Sequence, residues 1–222
     1  MNNQIPRTSD LFDFSHTLAG TLLESSDYPW DVLDNLKGFI IELSKSLDPN
    51  RFRDLGGVFV SVDAVIAPTA LICGPCIIDS GAEIRHCAFI RGSVIVGKKA
   101  VVGNSCELKN CILSDSVQVP HFNYVGDSIL GYKSHMGAGA VTSNVKSDKS
   151  LVDVKSSGQV IVTGRKKLGA MLGDRVEIGC NSVLCPGSII GRDSIVYPLS
   201  RVRGVIPENS IFKSENNIVP KH

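Results

Sequence analysis

The segment that decides the fold runs from Val60 to Leu108: VSVDAVIAPTALICGPCIIDSGAEIRHCAFIRGSVIVGKKAVVGNSCEL. Every sixth residue in it is aliphatic: Val60, Ile66, Ile72, Ile78, Ile84, Ile90, Val96, Val102 and Leu108. Four positions after each of the first eight stands a small or β-branched residue, from Ala64, Ala70 and Cys76 to Ala100 and Cys106. A period of six is neither the 3.6 of a helix nor the sustained 2 of a long strand. Each unit holds one short strand and one turn, with its large and its small residue both pointing inward. Three units close a triangular coil, and stacked coils bury one continuous aliphatic column.

Outward from this segment the period slips by one to Leu113, Val119 and Val125, then again to Leu130, Met136 and Thr142. It returns at Leu172, Ile178, Leu184, Ile190, Val196 and Val202. Gly often follows the aliphatic, as at Gly97, Gly103, Gly131, Gly137, Gly173, Gly179 and Gly191. Either a turn with positive φ or a close backbone approach explains Gly there. The spacing predicts an all-β solenoid of hexapeptide repeats over residues 58–222.

Two segments fall outside the period. Residues 143–171 form an excursion, in which LVDVK and QVIVT flank Ser156-Ser157-Gly158 and read as a hairpin. Residues 1–57 read as a helical N-terminal arm or cap. Asp27-Tyr28-Pro29-Trp30 resembles a helix start capped by Asp27 or Ser26, and Trp30, Leu33, Leu36, Ile40, Leu43 and Leu47 then recur at helical spacing. A second helix is expected around residues 9–24.

The charge balance, 23 Lys+Arg against 22 Asp+Glu in 222 residues, removes the electrostatic case for nucleic acid or a membrane surface as partner. Hydrophobic residues make up 43% but aromatic ones only 6%, so the core must be aliphatic. No apolar run is long enough to span a bilayer. The start, MNNQIPRTSDLFDF, has no basic stretch followed by an apolar one, so no secretory signal is expected. Seven cysteines, an odd number without secretory context, read as reduced thiols in a cytoplasmic protein.

Three motifs invite functional readings that their context opposes. Cys73-Gly74-Pro75-Cys76 spells a redox pair, but Cys76 fills an inward slot of the repeat. Gly92–Lys98 resembles a phosphate loop, yet Lys99 follows where Ser or Thr belongs, and the coil continues instead of a helix. His86, His121 and His135 are the coil histidines that could form a zinc site like that of γ-class carbonic anhydrases, but their spacing does not match, so no metal is expected.

His121 stands out by its surroundings, Val119-Pro120-His121-Phe122-Asn123-Tyr124-Val125-Gly126-Asp127, a polar-aromatic interruption in a regular scaffold. From Arg91 to Asn144 the chain resembles the acetyltransferase half of bifunctional glucosamine-1-phosphate acetyltransferase/N-acetylglucosamine-1-phosphate uridylyltransferases. The matching elements are His121, Tyr124, Gly126-Asp127, Gly137-Ala138-Gly139 and Asn144, with Arg91 and Lys109 aligned upstream without a gap. It is similar also to the C-terminal β-helix of archaeal-type sugar-1-phosphate nucleotidylyltransferases, which share Gly-Arg-Lys-Lys-Leu-Gly-Ala, here residues 164–170. The match is looser over 172–205.

The resemblance implies a left-handed parallel β-helix. It implies an acyl-CoA-dependent N-acyltransferase, with acetyl-CoA as co-substrate, acting on an amino-sugar-1-phosphate or a nucleotide-linked amino sugar. His121 would be the general base. Arg91 and Lys109 would bind phosphate, while Tyr124, His135, Asn144 and Lys149 would complete the sugar site. Cys180 and Pro198 fall where the family contacts CoA. The family forms homotrimers with sites between subunits. The chain departs from the pattern at His135, where the family has Asn, and at Val145, where the bifunctional enzyme has Tyr; the excursion lysines align only through Lys149. A nucleotidyltransferase domain would not fit in the segment before the coils, so such a label would describe relatives. The alternative is a non-catalytic trimer that binds a sugar phosphate or serves as a scaffold.

Overall fold

The computed structural model describes residues 4–221. The hexapeptide aliphatics stand in short parallel strands, stacked in three columns. Val60 pairs with Ile78 and Ile78 with Val96; Ile66 with Ile84 and Ile84 with Val102; Ile72 with Ile90 and Ile90 with Leu108. Each partner is three units along the chain, so one coil has three faces. At the slips the pairs become Val96 with Leu113, Val102 with Val119 and Leu108 with Val125. One residue is lost from a turn while the inward face is kept. Across the excursion the register resumes with Leu130 on Leu172 and Thr142 on Leu184. The aliphatic column is buried from Val58 to Phe212, apart from half-buried Ile66 and Ile72 near its start. This is the left-handed parallel β-helix class.

The glycine that follows the aliphatic turns out to serve close approach. A Cβ on Gly103 would enter the carbonyl of Pro120 on the next coil. The left-handed corner residue lies two places further on, at Cys87, Ser93, Lys99 and Ser105, with φ of 53–56°.

The N-terminal segment lies along the flank of the coils. It comprises helices Thr8–Leu11, Gly20–Glu24 and Leu36–Ser44, with 3-10 turns at Phe14–His16 and Pro29–Asp34. The stretch read as one helix from Trp30 is thus two pieces, with Tyr28 and Asn35 at their N-cap positions and no side-chain cap at either, while Asp27 pairs with Arg7 at 2.7 Å. Trp30, Val32 and Leu33 are all buried, so this segment is enclosed on more than one side, which the tighter turn accommodates. The face beneath carries Ile77, Ile95, Ile112, Ile129, Met171 and Ile189, one outward residue per coil, all buried against Leu11, Leu23, Trp30, Leu36 and Ile40. The corresponding outward residues on the other two faces, such as Val65 and Leu71, are 63% and 59% exposed.

Phe52–Asp54 folds back antiparallel on Val58–Ser61 at the start of the coils. The excursion contains an antiparallel hairpin, Val152–Ser156 with Gln159–Arg165. Its Val152 and Val154 join the arm's core, and Arg165 pairs with Asp34 at 2.6 Å. Asp174 also ties arm to coil: its carboxylate accepts the Asp13 N–H at 2.8 Å, and burial pushes its pKa up.

Cys76 is fully buried in the column and burial pushes its thiol pKa up, whereas Cys73 is exposed. Cys76→Ser is expected to lower unfolding stability by about 1–3 kcal/mol, the cost of a buried hydroxyl without a partner. Cys73→Ser should leave the urea midpoint unchanged.

Candidate active site

Two corners of the prism and the face between them hold most of the sequence-derived candidates. The first corner is a ladder of backbone hydrogen bonds. Phe122 N–H donates to Asn104 O at 2.9 Å, Gly139 N–H to His121 O at 3.0 Å, Asn181 N–H to Ala138 O at 2.8 Å, and Leu199 N–H to Cys180 O at 2.9 Å. His121, Cys180 and Pro198 therefore share one corner. With coils spaced by about 4.8 Å, Cys180 lies roughly 10 Å and Pro198 roughly 15 Å along from His121. All three side chains are exposed.

The turn at His121 is held by a residue that the sequence reading did not single out. Asn123 is buried, and its Oδ1 accepts the His121 N–H at 3.0 Å. Its Nδ2 donates to Gly137 O at 2.9 Å and Ala140 O at 3.0 Å, pinning the turn to the next coil. The amide is thus used on both sides. The His121 ring has no hydrogen-bond partner among the described residues and faces solvent.

The second corner is crossed by two seven-residue strands, Glu107–Leu113 and Tyr124–Leu130. Buried Asp127 is its hub. Its carboxylate accepts from Lys109 Nζ at 3.4 Å, Asn110 Nδ2 at 2.9 Å and Asn144 Nδ2 at 2.6 Å. Asn144 also donates to the Tyr124 hydroxyl at 3.2 Å. Burial, then the charges of Asp127 and Glu107, push the Tyr124 pKa up, so the phenol stays protonated. One coil back, Arg91 donates to Glu107 at 2.7 Å, and this carboxylate holds the guanidinium in its charged form. Glu107 and Asp127 make each cation half of an ion pair. The signal for them was coil arithmetic, because Asp127 lies eighteen residues after Lys109 and Glu107 sixteen after Arg91.

The structure therefore gathers Arg91, Lys109, Tyr124 and Asn144, with His121 at the other side of the Tyr124 face. It does not bring in His135, which stands on the adjoining face with Nδ1 2.8 Å from Glu177 Oε2. Lys149 is exposed in the excursion, its N–H donating to Lys146 O at 3.0 Å in a turn. His86 contacts Thr69 and Cys87 rather than His121. Among the described residues no group of three or more His, Cys, Asp or Glu is placed to hold a metal ion. No helix among them is long and apolar enough to cross a membrane.

The chain spans about half the length of the curated relatives it matches. Bifunctional protein GlmU of Methanococcus maripaludis is 32% identical over 87% of this chain and 48% of that protein. A bifunctional sugar-1-phosphate nucleotidylyltransferase/acetyltransferase of Sulfurisphaera tokodaii is 32% identical over 83% of this chain and 47% of that protein. Among solved structures, the acetyltransferase domain of PglB from Neisseria gonorrhoeae, in complex with acetyl coenzyme A, aligns at 16% identity and a TM-score of 0.27, covering 74% of this chain and 57% of that one. The model of the GMPPB C-terminal domain matches residues 72–185, just over half of the chain and the part that carries Arg91, Lys109, His121, Tyr124, Asn144 and Cys180; the chain belongs to that family.

Proposed function

We propose that the protein is an N-acyltransferase that moves an acetyl group from acetyl-CoA to the amine of an amino-sugar phosphate. One observation carries the reading: Asp127 gathers Lys109, Asn144 and, through Asn144, Tyr124 on a face flanked by the solvent-facing imidazole of His121. The acetyltransferase half named in the Sulfurisphaera relative supports it.

The amine must lose its proton to attack a thioester carbonyl, and a neutral imidazole within hydrogen-bond reach can take it as a general base. His121 has no partner to compete for that proton. Arg91 spends one nitrogen on Glu107, and the rest of its fork is free for a phosphate. Lys109 sits at a long 3.4 Å from Asp127, which leaves its ammonium available. Tyr124 and Asn144 then present hydroxyl and amide groups to the sugar. Acetyl-CoA would lie along the corner of Cys180 and Pro198. The arm covers one face of the prism and leaves two open, with Val65, Leu71 and Val183 exposed on them. A homotrimer packed through those faces, with His135 of one copy near the Tyr124 face of another, would let residues from separate faces act together.

The test is thiol release from acetyl-CoA with glucosamine-1-phosphate, galactosamine-1-phosphate and their nucleotide-linked forms. Release that requires one of these amines supports the enzyme. Saturable binding of a sugar phosphate with no thiol release under any of them would make the protein a sugar-phosphate sensor instead.

A further inference from the structure

The corner that carries His121 has a second cluster two coils away. Cys87 follows His86 in the chain, and the left-handed turn at Cys87 (φ 56°) folds its side chain back, so that Sγ lies 3.2 Å from His86 Nε2. The other ring nitrogen, Nδ1, is 2.6 Å from Thr69 Oγ1 on the preceding coil. The Cys87 N–H donates to the same hydroxyl at 3.3 Å. His86 is fixed from behind as well, its carbonyl accepting from Asn104 Nδ2 at 3.1 Å and from Ser105 N–H at 3.2 Å.

This is a nucleophile in contact with a base that is itself oriented by a third group. Thr69 Oγ1 has two lone pairs, enough for the Cys87 N–H and the Nδ1–H. With Nδ1 as donor, Nε2 is the acceptor that faces the thiol. All three residues are exposed, so a reagent has access. Left-handed corners recur throughout the coils, but a cysteine beside an imidazole occurs at this one. Exposed Cys73 and Cys180 have no such neighbour among the described residues.

We propose that Cys87, His86 and Thr69 form a nucleophilic thiol site that exchanges with small disulfides. As Sγ attacks one sulfur of the disulfide, its proton passes to His86 Nε2. A new bond joins Sγ to that sulfur, the old S–S bond breaks, and the departing thiolate leaves with the proton from Nε2. One thiol and one disulfide thus become a mixed disulfide and a free thiol, with no further oxidant. The site does not depend on the acyltransferase reading, although it lies roughly 10 Å from His121, on the side away from Cys180.

The full chain would be incubated with oxidised glutathione at pH 7, quenched in acid, and its cysteine peptides followed by mass spectrometry. Cys87 is expected to form the mixed disulfide at least about ten-fold faster than Cys73 or Cys180, a modest share of what a positioned base supplies. His86→Gln should bring Cys87 down to the rate of those two, and Thr69→Val should place it between. All three side chains are on the surface, so the variants should fold, which circular dichroism checks. Equal rates at the three cysteines, or a Cys87 rate unchanged by His86→Gln, would overturn the proposal.

Discussion

His121→Ala is expected to lower kcat by about 10²–10⁴-fold, the range for removing a general base from proton transfer. KM for the sugar phosphate should move much less, because the imidazole makes no binding contact that the phosphate needs. Arg91→Ala should do the reverse, chiefly raising KM. Steady-state kinetics of the two variants, varying the sugar phosphate at saturating acetyl-CoA, check this split. If His135→Ala abolishes turnover while His121→Ala keeps it, the base sits on the other face, where His135 already pairs with Glu177.

Gly103→Ala should be among the most damaging conservative changes in the chain. The added methyl would fall on the carbonyl, Cα and oxygen of Pro120, all backbone. The coils cannot spread to make room, since Val102 and Val119 are held in register on one side of the clash and Asn104 and His121 on the other. A loss of about 3 kcal/mol or more is expected, at the upper end for overpacking. Gly38→Ala is the control. It lies within Leu36–Ser44 with open space around it, so it should gain about 0.5–1 kcal/mol from helix propensity. Urea unfolding of both variants decides. A Gly103→Ala midpoint equal to that of the unaltered chain would refute the close-approach account.

The β-helix was legible because each turn repeats one inward pattern, and the slips at Leu113 and Leu130 changed turn lengths without moving an inward residue. The position of the arm was harder to read. Its sign was there in the outward series Ile77, Ile95, Ile112 and Ile129, one coil apart, which asks for a cover; a search for inward residues passes over it. Tyr124, Asp127 and Asn144 could be picked out in the sequence as parts of one motif, whereas the partners that Glu107 and Asn110 supply across coils could not, and His135 and Lys149 stand apart from the cluster. Glu107 meets Arg91, and Asp127 meets Lys109, Asn110 and Asn144, only through the stacking, since each pair lies 16–18 residues apart in the sequence. Asn123 was missed for a different reason: its work is done on backbone groups, which carry no residue type to recognise.

The ladder beneath the arm bears on how the chain is made. The helices precede every coil in the sequence, and so leave the ribosome first. The surface that buries Leu11, Leu23, Trp30 and Ile40 is assembled one rung at a time, from Ile77 to Ile189. Coils gain stability from their immediate neighbours and can zip up in order, whereas the arm depends on contacts spread along much of the chain, the kind that form late. During synthesis the arm would therefore wait, its apolar side uncovered, until enough rungs exist to receive it, with the hairpin's Arg165 closing on Asp34 near the end.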